Sequence, residues 1–182
     1  MDEQGIIKRC LKGETGEFRQ IVNQYTPPLM AVAMTVLGNR QDAEDICQET
    51  FIQAYRHLSS FDTEKSLRTW LYTILYRRCL NAAKRKKIFS GILNRLKTEP
   101  QTWTPTSDPG PEEQLFLPPG LYRTLSPKER TVLSLWANDG YTAHDISEVV
   151  GCSASTVRVT LFNARRKIKA FLENKHGVMQ NC

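Results

Sequence analysis

The sequence predicts an all-α fold of two small helical domains joined by a proline-rich linker. Three observations carry that prediction. Apolar residues recur at three- and four-residue steps on both sides of the chain's middle and nowhere alternate with period two. Six of the nine prolines lie between Thr98 and Gly120, and proline's missing amide donor and its restriction of the preceding residue exclude a helix or central strand there. Charge is segregated around that stretch: residues 1–60 carry a net −2, 61–97 a net +8, 98–127 a net −3 and 128–182 a net +3. Two basic blocks separated by an acidic tether suggest two surfaces that face a polyanion, although two solvated faces would leave the same pattern.

The 182 residues, 40% hydrophobic and 24% charged, suit one or two folded domains rather than a disordered chain. Met1-Asp2-Glu3-Gln4 has neither a basic nor an apolar signal segment, so no secretory signal is expected. The longest apolar run, Leu29 to Leu37, is too short to cross a bilayer. A cytoplasmic protein with no membrane insertion is therefore expected. Five cysteines, widely spaced and never CxxC, argue against a disulfide framework or a zinc knuckle. His57, His144 and His176 lack acidic or cysteine partners at ligand or catalytic spacing. No catalytic residue, metal or cofactor is expected.

Taken in order, Phe18, Ile21, Val22, Tyr25, Leu29, Val32, Ala33 and Val36 trace one helix face, which Pro27-Pro28 is expected to divide into two helices. Gly38-Asn39 punctuates, and Asn39 with Asp42 predicts an N-cap and capping box. A helix from Arg40 to about His57 buries Ala43, Ile46, Cys47, Phe51, Ala54 and Leu58; a polar loop, 59–65, leads to a second from Ser66 to about Lys87. Beyond the linker, Leu125-Ser126-Pro127 opens a helix carrying Val132, Leu133, Leu135 and Trp136 as far as Asn138-Asp139-Gly140. Thr142, boxed by Asp145, caps a short helix that ends at Val150-Gly151, and the last helix buries Val157, Leu161, Ala164 and Ile168. The expected division is a domain over 1–97, a linker over 98–120, a second domain over 121–176 and a tail over 177–182.

Three patterns carry chemistry. The segments 142–150, 151–153 and 154–168 form a helix-turn-helix signature, with Gly151 for the positive φ of the turn and Ser147 as the small residue where the helices cross. Opposite its core, the second helix presents Ser155, Arg158, Val159, Phe162, Arg165, Arg166 and Lys169. Ser155 and Arg158 suit base edges in a major groove, and Arg165, Arg166 and Lys169 suit phosphates; a plain helical hairpin with a basic solvated face is the alternative. On the helix at 40–57, the macrodipole alone accounts for Asp42 and Glu44, but Asp45, Gln48 and Glu49 form an exposed ridge suited to a basic protein partner. Downstream, Phe61, Lys65, Arg68, Trp70, Tyr72, Tyr76, Arg77, Arg78, Lys84, Arg85, Lys86 and Lys87 interleave aromatics with cations, as in proteins that hold unstacked bases. Trp70, with Leu67, Leu71 and Ile74, reads as core.

Asp42-Ala43-Glu44-Asp45-Ile46-Cys47-Gln48-Glu49-Thr50-Phe51, followed by Phe61 and Thr69-Trp70-Leu71-Tyr72, resembles region 2 of bacterial sigma factors of the extracytoplasmic-function type. Leu125-Ser126-Pro127, Asp145-Ile146 and Ser155-Thr156-Val157-Arg158 with Ala164-Arg165 resemble their region 4. The resemblance implies that Asp42, Asp45, Gln48 and Glu49 bind the clamp helices of the largest subunit of core RNA polymerase, with region 4 on the flap. It implies that Phe61, Lys65, Arg68, Tyr76, Arg77, Lys84 and Arg85 read and melt the promoter −10 element. Ser155, Thr156, Arg158, Val159, Phe162, Arg165 and Arg166 would read the −35 element, and an anti-sigma factor would hold the protein inactive. Arg77 stands where the family usually has Asn, Asn81 where it often has Asp, and Phe162 where a basic residue is frequent, so base capture and −35 preference are expected to differ in detail. A free-standing helix-turn-helix regulator is the alternative; it leaves the basic aromatic helix without a task.

Overall fold

The computed structural model describes residues 2–96 and 117–179, and the described residues are all helix, turn or loop. Most of the linker expected over 98–120 and the last three residues lie outside that range.

Helix α1 (Glu3–Leu11) is capped by Asp2, whose carboxylate accepts from the Gly5 amide at 2.9 Å. Periodicity does not predict it, because only Ile6, Ile7 and Cys10 are buried and so short a stripe has no repeat to read. Helix α2 (Phe18–Leu37) runs unbroken through Pro27 and Pro28, contrary to the expected division. Tyr25, Leu29, Val32 and Val36 are buried in phase across the prolines. Each fully buried apolar side chain contributes about 1.5–3 kcal/mol, so together they outweigh an interior-proline cost of about 3 kcal/mol. At the end of α2, Gly38 takes φ 71°, and a Cβ there would meet the Tyr122 ring at 2.8 Å.

Helix α3 (Arg40–Arg56) begins as predicted, with the Asn39 side chain accepting from the Asp42 amide at 2.9 Å. The box is only half made, because the Asp42 carboxylate takes Lys86 Nζ at 3.2 Å instead. Helix α4 (Leu67–Leu96) outruns its predicted end at Lys87 by nine residues. Gly91 is a mild interruption of about 1 kcal/mol, and the next proline is Pro100. Helix α5 (Pro119–Thr124) starts inside the expected linker with proline in its first turn. Helices α6 (Pro127–Asn138) and α7 (Ala143–Val150) carry full capping boxes, Ser126 with Glu129 and Thr142 with Asp145. Helix α8 (Ala154–Met179) continues well past Ile168.

Helix α2 packs on α3, α4 and α6, and α4 packs in turn on α3, α6 and α7. One apolar core therefore runs through both halves of the chain, from Ile21, Leu29 and Leu71 to Leu135, Ile146 and Val157. A small second cluster, Leu121, Leu125 and Ala164, joins α5 to α8. The buried Arg130 guanidinium donates through Nη1 to the carbonyls of Tyr122 (2.7 Å) and Leu125 (2.9 Å) and lies over the Tyr122 ring. The Tyr122 hydroxyl then donates to the Met34 carbonyl at 3.1 Å, tying the second half onto α2.

Candidate nucleic-acid interface

The turn between α7 and α8 is built by Gly151 at φ 67°, the left-handed region that costs a glycine least. The amides of Gly151 and Cys152 both donate to the Ser147 carbonyl, at 3.0 and 3.2 Å. Ser153 Oγ accepts from the Thr156 amide at 3.2 Å and lies 2.8 Å from the hydroxyls of Ser155 and Thr156. Those two polar side chains are thus gathered at the N-terminal end of α8. Burial of Val157, Leu161 and Ala164 turns the other face outward. There Ser155, Thr156, Arg158, Val159, Phe162, Arg165 and Arg166 are all exposed, Val159 at 59% and Phe162 at 67%. Arg158 and Arg166 have no ion-pair or hydrogen-bond partner among the described residues. Arg165 lies over the Trp136 ring, 4.0 Å from its centroid. Trp136 is 43% exposed; it follows Leu135 by one residue, so the helix turns it off the buried face.

An ion pair supplements the apolar packing behind this face. Burial opposes the charge of Glu129, but Lys167 Nζ at 2.9 Å and the Ser126 cap outweigh it and hold the carboxyl below its ordinary value. Lys167 is on α8 and Glu129 on α6, so this pair adds a tie between the two helices to the apolar packing of Val157, Leu161 and Ala164.

The basic aromatic set divides in two. Phe61 is half-buried with its ring 4.8 Å from that of Trp70, tilted 39°, and Trp70 in turn packs on the core. Lys65 reaches Asp62 only at 3.8 Å and is exposed. Arg77, Lys84 and Arg85 are exposed and without partners among the described residues. Arg68 and Tyr76 are engaged elsewhere. The Arg68 Nη2 donates to Asp139 at 2.6 Å. Tyr76, expected among the −10 contacts, is buried at 7% exposure because α7 lies against α4, and burial with the neighbouring Cys152 pushes its phenol up. Tyr72 donates to Asp139 at 2.9 Å. Sequence reasoning singled out neither Asp139 nor Tyr141, whose ring packs on Tyr72.

On α3, Asp45, Gln48 and Glu49 are exposed above buried Ile46, Cys47 and Thr50. Asp45 and Gln48 have no partner among the described residues, whereas Glu49 accepts from Arg78, which also donates to Gln53. Among the described residues no group of His, Cys, Asp and Glu is disposed to hold a metal, and no helix is long and apolar enough to cross a membrane.

The chain therefore offers an outward helix-turn-helix, a second basic aromatic helix and a separate acidic ridge. The family model for Sigma-70 region 2 matches residues 21–88, and that for Sigma-70, region 4 matches residues 121–168. The ECF RNA polymerase sigma-E factor of Haemophilus influenzae is 28% identical over 179 residues, covering 93% of this chain and 94% of that one. The ECF RNA polymerase sigma factor SigW of Bacillus subtilis is 38% identical over 81 residues, 44% of this chain and 43% of that one. Among solved structures, the sigma factor RpoE bound to the anti-sigma factor NepR of Bartonella quintana superposes with a TM-score of 0.64 at 22% identity, covering 86% of this chain and 97% of that one. CnrH bound to the cytosolic domain of CnrY gives 0.62, also at 22% identity, over 93% and 96%. With both regions matched in order and on the two halves just described, the chain belongs to the extracytoplasmic-function sigma factors of the sigma-70 family, which direct RNA polymerase to promoters and are not enzymes.

Proposed function

We propose that the two halves divide promoter recognition between them, with residues 1–97 binding core polymerase and the −10 element, 98–120 a proline-rich tether, 121–176 binding the −35 element and the polymerase flap, and 177–182 a tail. The single observation that carries this reading is the outward face of α8, where Ser155 and Arg158 sit at the N-terminal end and Arg165 and Arg166 further along. A helix entering a major groove by its N-terminus reads bases with the first pair and holds phosphates with the second. Thr156, Val159 and Phe162 complete the contact, the apolar pair suiting thymine methyl groups.

Asp42, Asp45, Gln48 and Glu49 meet the basic clamp helices of the largest polymerase subunit. Phe61, Lys65, Arg68, Tyr76, Arg77, Lys84 and Arg85 take the −10 strand. A base stacked on an aromatic is worth about 1–3 kcal/mol, comparable with the cost of unstacking it, so capture of extruded bases beside Phe61 opens the duplex without nucleotide hydrolysis. Trp70 backs Phe61 and holds α4 in place. The factor works in the bacterial cytoplasm, under an anti-sigma protein of the kind seen with RpoE.

Permanganate footprinting of promoter complexes made with polymerase and a Phe61→Ala, Arg77→Ala variant tests the melting step. Closed-complex binding is expected to survive while thymine reactivity at the −10 element falls, and a pre-melted template is expected to restore transcription. Absence of rescue by the bubble would refute the assignment.

A further inference from the structure

Helix α4 outlasts the helix beside it. Lys86 Nζ donates to Asp42, in the first turn of α3, at 3.2 Å, so α4 passes the start of α3 there and runs on to Leu96. On the projecting stretch Ile88, Phe89 and Ile92 are 53%, 64% and 51% exposed. With Arg85 they stand at steps of three, one and three, which is one face of a helix. Together with Arg85 and Lys86 they line one shallow hollow. A Cβ on Gly91 would meet nothing within 4 Å. In the sequence the same spacing continues to Leu93 and Leu96. Four consecutive cations, Lys84, Arg85, Lys86 and Lys87, precede the stripe, and all four are exposed.

An exposed apolar stripe with a polar rim marks a surface that meets a partner or a membrane. Phosphates of a nucleic acid satisfy the cations but leave three large apolar side chains in water. Stacking on bases uses an aromatic ring, and the stretch 84–92 has one, Phe89. An anionic bilayer surface takes both features. Its headgroups attract clustered cations, and its acyl boundary receives the apolar face of a helix lying in its plane. We propose that the end of α4 is a lipid-binding surface that lays the chain on membranes rich in anionic phospholipid. Ile88, Phe89 and Ile92 enter the boundary between headgroups and acyl chains, and the cations beside them hold the headgroup phosphates. Three inserted side chains and one cation cluster make a reversible attachment, and its charge component weakens with salt. This surface stands whether or not Lys84 and Arg85 also touch the −10 strand.

The experiment sediments the full chain with unilamellar vesicles over a range of lipid concentrations. The vesicles are phosphatidylcholine alone or an equimolar mixture of phosphatidylcholine and phosphatidylglycerol. Two variants are compared with the parent, Phe89→Ser with Ile92→Ser, and Lys87→Glu, each checked for fold by circular dichroism and thermal unfolding. Lys84 and Arg85 are left intact because they are read as −10 contacts. The parent is expected to bind the mixed vesicles at least about tenfold more tightly than the neutral ones. The serine pair and Lys87→Glu are each expected to weaken that binding by about tenfold, while the serine pair leaves vesicle-free transcription by reconstituted holoenzyme unchanged. A parent chain that stays in the supernatant with mixed vesicles would overturn the proposal. Full binding by the serine pair would do the same, by reducing the effect to charge adsorption through the basic run. Loss of promoter opening by the serine pair, with vesicle binding intact, would assign the stripe to nucleic acid or polymerase instead.

Discussion

Reversing Asp45 to lysine separates polymerase binding from folding more cleanly than any other change on the acidic ridge. Asp45 is exposed and has no partner among the described residues, so its loss costs the fold no more than about 0.5 kcal/mol. Opposite unit charges 4 Å apart in water-like surroundings attract by about 1 kcal/mol. Reversing one converts that attraction into equal repulsion, a change of about 2 kcal/mol, or about thirtyfold in affinity for core polymerase. Glu49 behaves differently because it already accepts from Arg78, a pair whose side chains are 28% and 47% exposed. Glu49→Lys sets two cations together and gives up an ion pair worth at most about 1 kcal/mol. It therefore lowers the melting temperature as well as the affinity. The assay is titration of labelled chain with core polymerase at fixed salt, paired with thermal unfolding of each variant. Asp45→Lys with unchanged stability and core affinity within about twofold of the parent would refute the reasoning.

Other outcomes follow from the same structure. Arg158→Ala is expected to relax sequence choice at one −35 position at a cost of about 1–3 kcal/mol, whereas Arg166→Ala weakens all sites alike and flattens the salt dependence; binding to a panel of single-substitution −35 duplexes at several salt concentrations separates the two. Because the folded Glu129 carboxyl lies below its ordinary value of 4.5, its contribution to stability is present above that value and is lost as pH falls through the lower folded one. Unfolding of Glu129→Gln, followed as the pH falls through and below the ordinary glutamate value, is expected to show a weaker pH dependence than the parent. Burial pushes the thiols of Cys47 and Cys79 up to about 12, so mass-spectrometric mapping after iodoacetamide treatment at neutral pH should find both unmodified until denaturant is added.

The sequence disclosed most of the elements because their signals are local. The caps at Asn39, Ser126 and Thr142 lie within three residues of the groups they satisfy, and Gly151 follows from turn geometry alone. The outward side of α8 could be read by subtraction, once Val157, Leu161 and Ala164 were assigned to the core. What escaped depends on distant partners. The continuity of α2 through Pro27-Pro28 is decided by the helices against which its stripe packs. The burial of Tyr76 and the coupling of Arg68 to Asp139, 71 residues away, exist only because the two halves pack together. The pairing of Arg165 with Trp136 escaped for the same reason: it joins α8 to α6, and neither residue's neighbours in sequence point to the other.

That this chain programmes RNA polymerase is tested most directly by reconstitution with core polymerase. The chain is first isolated on core polymerase without DNA, and the complex then transcribes fragmented genomic DNA from its own source, with the 5′ ends of the products mapped. A sigma factor gives a stable DNA-free complex and start sites that share −35 and −10 elements and are absent with core polymerase alone. A chain that binds duplex DNA but neither joins core polymerase nor adds start sites above the core-alone background would contradict it.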